Sequence, residues 1–142
     1  DAIREMTSIS LAQRSAKQSP TSETKIYLID TIGEANAAYQ SVDIAFVGGS
    51  FGPEGGHTPY EPASAGVYVL HGPNVGNFVE AYAELHNQNG ASLVANAADL
   101  AQQVSALLKS PPKRSTWNAN KHANAAQQTL ELLLPLLAKP AA

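Results

Sequence analysis

Cysteine is absent from the 142 residues. Its absence excludes disulfide scaffolds, thiol nucleophiles and cysteine-ligated zinc, and it leaves the redox compartment open. Charge is scarce as well: Asp, Glu, Lys and Arg make up 15% of the chain, against about 25% in an average soluble domain. A surface so poor in charge suits a chain part of whose exterior faces something other than water. No stretch approaches the roughly 18 consecutive apolar residues of a membrane span. Basic runs are missing too. Nine Lys and Arg against twelve Asp and Glu leave a net charge of −3, a poor balance for wrapping nucleic acid. The opening residues, Asp1-Ala2-Ile3-Arg4-Glu5, have neither an initiator Met nor the shape of a signal peptide. They read as a piece of a longer polypeptide that begins inside a helix ending near Ile9.

What is present fits one folded domain. Hydrophobic residues reach 44%, and the length allows a core that needs no covalent staples. Short apolar strands are expected at Ser10–Gln13, Lys25–Asp30, Asp43–Val47, Val67–Leu70 and Ala91–Val94. Helices are expected at Glu34–Ser41, Tyr60–Ala65, Asn74–Asn89, Asn96–Lys109 and about Thr116–Ala138, with Pro135 kinking or ending the last. This alternation predicts an α/β fold: a Rossmann-like parallel sheet with helices on both faces. Ligands of such sheets bind beyond the carboxyl ends of the strands. Two turns leave those ends, Asp30-Thr31-Ile32-Gly33-Glu34 and the glycine-rich run from Gly48 to Thr58.

Several chemistries compete for the glycine run. No lysine follows it, so it is not the phosphate loop of nucleotide hydrolases, and G-x-G-x-x-G is also missing. Gly48-Gly49-Ser50-Phe51-Gly52 matches the G-x-S-x-G nucleophile elbow, with Asp99 and His122 following in the right order. An elbow must feed straight into a helix, and Gly52-Pro53-Glu54-Gly55-Gly56 cannot start one. The remaining reading is a backbone anion cradle, in which Gly55-Gly56-His57-Thr58 enters a helix N-terminus. Thr58-Pro59-Tyr60-Glu61 also fits a capping box with Pro59 in the first helical position. Glu61 either caps its own helix or accepts hydrogen bonds from two vicinal sugar hydroxyls. His57 reads as an orienting residue. His71, His86 and His122 lack metal-ligand spacing. Trp117 and the Leu-rich tail read as packing residues.

The ordered set of motifs resembles one family. Ile29-Asp30-Thr31-Ile32-Gly33-Glu34, Phe46-Val47-Gly48-Gly49-Ser50, Gly55-Gly56-His57-Thr58-Pro59-Tyr60-Glu61-Pro62-Ala63, Gly72-Pro73 and Asn77-Phe78 occur in the order and spacing of 3-deoxy-D-manno-octulosonic acid (Kdo) transferases. Arg14-Ser15 resembles the family's R-S pair. The resemblance covers nearly the whole chain and implies the C-terminal, donor-binding domain of a two-domain GT-B glycosyltransferase.

By that resemblance Ile32, Gly33, Glu34, Thr58, Pro59, Tyr60 and Glu61 contact the CMP part of CMP-Kdo. Ser50, Gly55, Gly56 and His57 form the supporting loop. Glu34 and its turn meet the cytidine, Glu61 holds the ribose hydroxyls, and the helix start at Thr58 faces the phosphate. Ile32 replaces the family's usual Met, a swap that nearly conserves volume. Thr58 replaces a common Asn and loses its amide donors.

The implied reaction moves Kdo to a lipid A precursor in lipopolysaccharide synthesis at the cytoplasmic face of the inner membrane. No metal or cofactor is implied. The P-R-H segment for the donor phosphate, the general base and the membrane anchor are expected outside this chain, leaving it a soluble fragment that is inactive alone. Part of the Leu-rich tail is expected to cover the N-terminal domain. The alternatives are the donor domain of another GT-B enzyme using a UDP-sugar and a noncatalytic anion-binding α/β module.

Overall fold

A computed structural model describes residues 8–114, residue 117 and residues 125–137. The expected helix ahead of Ile9 and most of the segment before Ala125, with His122, lie outside the described residues. Strand β1 is Leu11–Gln13 and β2 is Ile26–Leu28; they pair in parallel, Leu11 opposite Ile26. Helix α1, Ala35–Gln40, leads to β3, Ile44–Val47. After the glycine run comes α2, Tyr60–Ser64, then β4, Tyr68–His71. A 3-10 turn at Gly76–Phe78 opens into α3, Val79–Asn87, followed by β5, Ala91–Leu93. Helix α4 is Ala97–Lys109 and α5 is Ala125–Leu137.

All strand pairs are parallel, but they form two ladders, β1-β2 and β3-β4-β5. A single sheet was the simpler expectation. A turn, not a strand, lies on the outer edge of β1. There the Gln13 N–H donates to Gln18 Oε1 at 2.9 Å, and the Gln13 carbonyl accepts the Gln18 N–H at 3.2 Å. The following turn thus takes ladder groups that a neighbouring strand would use.

The core lies over the β3-β4-β5 ladder. Val47, Val69, Ala91, Ala63, Tyr82, Leu85 and Trp117 pack together, with Tyr60, Val75 and Phe78 against them. Helix α4 carries the clearest local start signal. Asn96 Oδ1 accepts the Ala98 and Asp99 N–H groups, each at 3.0 Å. The helix expected over Asn74–Asn89 is shorter because Asn77 is pulled out of helical geometry. Its N–H donates to the Gly55 carbonyl at 2.9 Å and its side chain to the Glu54 carbonyl at 2.8 Å. Pro135 lies inside α5 and does not end it. Among the described residues no helix is long and apolar enough to cross a membrane.

Candidate functional site

The turn after β2 is held by two carboxylates. Asp30 accepts the Ser15 N–H at 2.9 Å, the Ser15 hydroxyl at 2.7 Å and the Gln13 side-chain amide at 2.7 Å. These donors favour the ionised form and hold the Asp30 carboxyl down at about 2, the Ser15 and Gln13 side-chain bonds being the main causes. Glu34 takes a two-pronged contact from Arg14, with Nε at 2.8 and 3.0 Å and Nη2 at 2.7 Å. The Thr31 hydroxyl also donates to Glu34. The Arg14 bond lowers the Glu34 carboxyl pKa, and the same pair raises that of the guanidinium. Gly33 sits at φ +89°, where a side chain would be strained. Ile32, at the tip, is fully exposed.

The glycine run folds back on itself. The Gly56 and His57 N–H groups donate to the Gly49 and Gly48 carbonyls at 2.9 and 3.1 Å. Two amides of the expected anion cradle are therefore committed within the loop. Gly55 and Gly56 have φ +79° and +78°, and a Cβ on Gly55 would fall 2.9 Å from Asn77 Oδ1. Close packing against the Asn74–Asn77 turn thus requires glycine there. The loop is also held from below, where the Tyr82 hydroxyl donates to the His57 carbonyl at 3.0 Å.

Helix α2 starts one residue later than a capping box would require. Pro59 is the N-cap and makes no side-chain cap bond. Thr58 Oγ1 accepts only a long bond, 3.4 Å, from the Tyr60 N–H. Glu61 is exposed rather than folded back as a cap. The first intrahelical bond runs from the Ala63 N–H to the Pro59 carbonyl, so the Glu61 amide lies ahead of it. Pro59 and Pro62 supply no N–H.

Ser50 is not a presented nucleophile. It is fully buried. Its hydroxyl donates to the Val47 carbonyl at 2.7 Å and accepts the Gly72 N–H at 2.8 Å. It joins the carboxyl ends of β3 and β4. Asp99 accepts the Ala95 N–H at 2.8 Å and so serves the start of α4. The hydrolase reading loses its nucleophile by burial.

Each turn heads a short helix, Thr31–Glu34 ahead of α1 and Thr58–Glu61 at the start of α2. Helices α1 and α2 pack against each other. A single guanidinium, Arg114, touches both of their far ends. Nη1 donates to the Ala65 carbonyl at 3.0 Å, and Nη2 to the Gln40 and Val42 carbonyls at 3.0 and 3.1 Å. Their C-terminal ends are thus joined through one side chain. Burial first, and the Glu61 charge second, raise the Tyr39 phenol pKa.

Sequence reasoning missed three features here. Arg14 and Asp30 were assigned no role, although their position in flagged motifs marked them. Arg114 gave no signal at all. The third is the buried His71, whose Nε2 lies 2.8 Å from His86 Nε2 while its Nδ1 lies 2.7 Å from the Gly72 carbonyl. Burial, ahead of the His86 charge, lowers the His71 pKa. Among the described residues no three His, Asp or Glu side chains converge as a metal-binding group.

A cavity of about 500 Å³ adjoins the first turn, lined by Arg14, Tyr27, Ile29, Glu34, Ala38 and Val42 among others. Its walls are mostly apolar, with the Arg14–Glu34 pair as the charged part.

No family model matches the chain. Curated relatives do. The chain is 37% identical over 132 residues to the 3-deoxy-D-manno-octulosonic acid transferase of Haemophilus influenzae, a match covering 88% of this chain and 31% of the relative. The enzyme of the same name from Bordetella pertussis is 32% identical over 133 residues, covering 88% and 31%. A probable mitochondrial enzyme of that name from Arabidopsis thaliana is 33% identical over 129 residues, covering 89% and 28%. The chain thus spans about three-tenths of the length of the curated relatives it matches. Among solved structures, the C-terminal CMP-Kdo binding domain of WaaA from Acinetobacter baumannii superposes with a TM-score of 0.72. That match is 27% identical and covers 97% of this chain and 66% of that one. In sequence and in fold, the chain belongs to the family of 3-deoxy-D-manno-octulosonic acid transferases, as a counterpart of their C-terminal domain.

Proposed function

We propose that this chain holds the CMP portion of CMP-Kdo in an enzyme that transfers Kdo to a lipid A precursor. One observation carries the reading. The turns Ile32–Glu34 and Thr58–Glu61 head two helices that are packed together and fastened at their far ends by Arg114. A nucleoside monophosphate reaching from one turn to the other has its base and its phosphate served by different segments. The name of the solved neighbour, a CMP-Kdo binding domain, supports the same ligand.

Each residue has a chemical part in this proposal. The Ile32–Glu34 turn, stiffened by Arg14 and Thr31, presents backbone and carboxylate to the cytidine. The exposed Glu61 carboxylate accepts from the ribose hydroxyls. The helix start at Thr58 faces the phosphate. Ser50, Gly55, Gly56 and His57 shape the loop without touching the reacting atoms. The acceptor hydroxyl attacks the anomeric carbon of Kdo, the glycosidic bond to CMP breaks, and the configuration inverts. Negative charge grows on the departing phosphate, which a helix N-terminus stabilises. The general base and the membrane anchor, at the cytoplasmic face of the inner membrane, belong to other parts of the polypeptide. The reaction is proposed to need no metal.

Titration of the chain with CMP, UMP and inorganic phosphate, followed by NMR, tests the reading. CMP should shift the amides of Ile32–Glu34 and Thr58–Glu61 together, and UMP should do so more weakly. A response confined to one turn, or equal responses to CMP and phosphate, would overturn it. UMP binding tighter than CMP would favour a UDP-sugar enzyme.

A further inference from the structure

Helices α1 and α2 end without a cation of their own. Neither has a basic residue in its last turn, although helix C-termini leave carbonyls unbonded and carry partial negative charge. Arg114 supplies the charge for both from outside the helices. Its fork reaches the Ala65, Gln40 and Val42 carbonyls at 3.0 to 3.1 Å, and Asp43 lies 3.9 Å away. A planar guanidinium can serve three carbonyls on two helices at once; an ammonium is a point donor without that reach.

The other end of α2 is braced by the same stretch of chain. Trp117 is buried and lies against Tyr60, the first residue of α2, with ring centroids 5.6 Å apart. Residues three apart in sequence therefore touch the two ends of one helix. At about 1.5 Å per residue, α1 and α2 are only about 9 and 8 Å long. A shift where the helices are joined therefore carries almost undiminished to the two turns at their opposite ends.

We propose that Arg114 is a positioning residue for the two turns. By bonding the carbonyl ends of α1 and α2 with one guanidinium, it sets the gap between Ile32–Glu34 and Thr58–Glu61. The ligand consequence rests on the nucleotide reading above; the fastening itself does not. Arg114 touches no reacting atom.

The absence of cysteine permits a direct test. Spin labels placed through Asn36→Cys and Ser64→Cys, both exposed sites, report the α1–α2 distance by dipolar EPR. Arg114→Ala should broaden the distribution, with Arg114→Lys intermediate. In the unlabelled chain, Arg114→Ala should weaken CMP binding at least threefold, and Arg114→Lys less. Asn96→Ala removes the α4 cap and controls for general loss of stability: it should lower Tm and leave CMP affinity unchanged. An Arg114→Ala distribution as narrow as the parent's overturns the proposal. So does a broad distribution with unchanged CMP affinity. If the parent chain takes up no CMP, the nucleotide reading fails, and the distance measurement alone still decides the fastening.

Discussion

Ser50 offers the sharpest test of how the glycine run is held. Replacing it with alanine removes one oxygen and no carbon. In the native chain that oxygen donates to the Val47 carbonyl and accepts the Gly72 N–H, at 2.7 and 2.8 Å. The Val47 carbonyl loses one bond, worth about 1 kcal/mol net. The Gly72 N–H fares worse. Gly72 is buried, and an orphaned buried donor costs about 1 to 3 kcal/mol. The sum is about 3 kcal/mol. With a urea m-value of about 2 kcal/mol/M for a domain of this size, Ser50→Ala should lower the unfolding midpoint by about 1.5 M. Urea titration by circular dichroism reads this directly, with an unchanged m-value confirming that only stability has changed. A midpoint within about 0.3 M of the parent, about 0.6 kcal/mol at that m-value, would refute the claim that this hydroxyl ties β3 to β4. Labelling of Ser50 by a fluorophosphonate in the folded chain would refute its burial and reopen the nucleophile reading.

Other expectations follow from the same geometry. Gly55→Ala forces a side chain into φ +79° and against Asn77; the backbone term alone is about 1 to 2 kcal/mol, and thermal unfolding should show it. Arg14→Ala should loosen the Thr31–Glu34 turn, seen as faster amide exchange at Gly33 and Glu34, with a weaker CMP response at that turn only. The Asp30 carboxyl, held at about 2 by Ser15 and Gln13, has a folded pKa below the unfolded value of about 3.9. It binds its proton less readily when folded. Its contribution is therefore full above about pH 4 and fades as pH falls through about 2. The Ser15 amide resonance should accordingly hold its position from pH 7 to about 4 and move below it. Finally, His71 should carry its proton on Nδ1, facing the Gly72 carbonyl, and accept from His86 at Nε2. Burial lowers its pKa, so nitrogen-15 NMR should show this neutral tautomer of His71 persisting below the usual imidazole range.

Local signals in the sequence were legible. The β-branched run of Lys25–Asp30, the apolar Asp43–Val47 and the Asn96 cap each depend on neighbours within a few residues, and the corresponding elements formed close to the expected places. Boundaries failed where a distant group intervened. Asn77 left the helix because carbonyls more than twenty residues away drew its amides. The capping box failed for a nearer reason: Pro59 became the cap itself, and a proline offers no side-chain acceptor. On the outer edge of β1, Gln18 rather than a strand bonds Gln13, which the strand pattern does not foretell.

The site divides along the same line. The turn residues carried recognisable motifs, but what holds them in place did not. Arg114 reaches Gln40 and Ala65 across 74 and 49 residues of sequence, a separation at which neither spacing nor periodicity leaves a trace. The glycines show the converse limit. Five glycines in Gly48–Gly56 promise a backbone that can approach an anion, and the left-handed angles at Gly49, Gly55 and Gly56 match that promise. Composition does not say that the Gly56 and His57 amides are already bonded inside the loop. The glycines therefore serve first to let the loop close on itself and on the Asn74–Asn77 turn. Of the backbone donors expected at the phosphate, the Tyr60 amide already meets Thr58 Oγ1 at 3.4 Å, and two prolines thin the row further. A cradle with so few donors neutralises a phosphate only in part. Under the proposed function, further cations are needed beside these amides, and CMP affinity should rise sharply when they are supplied.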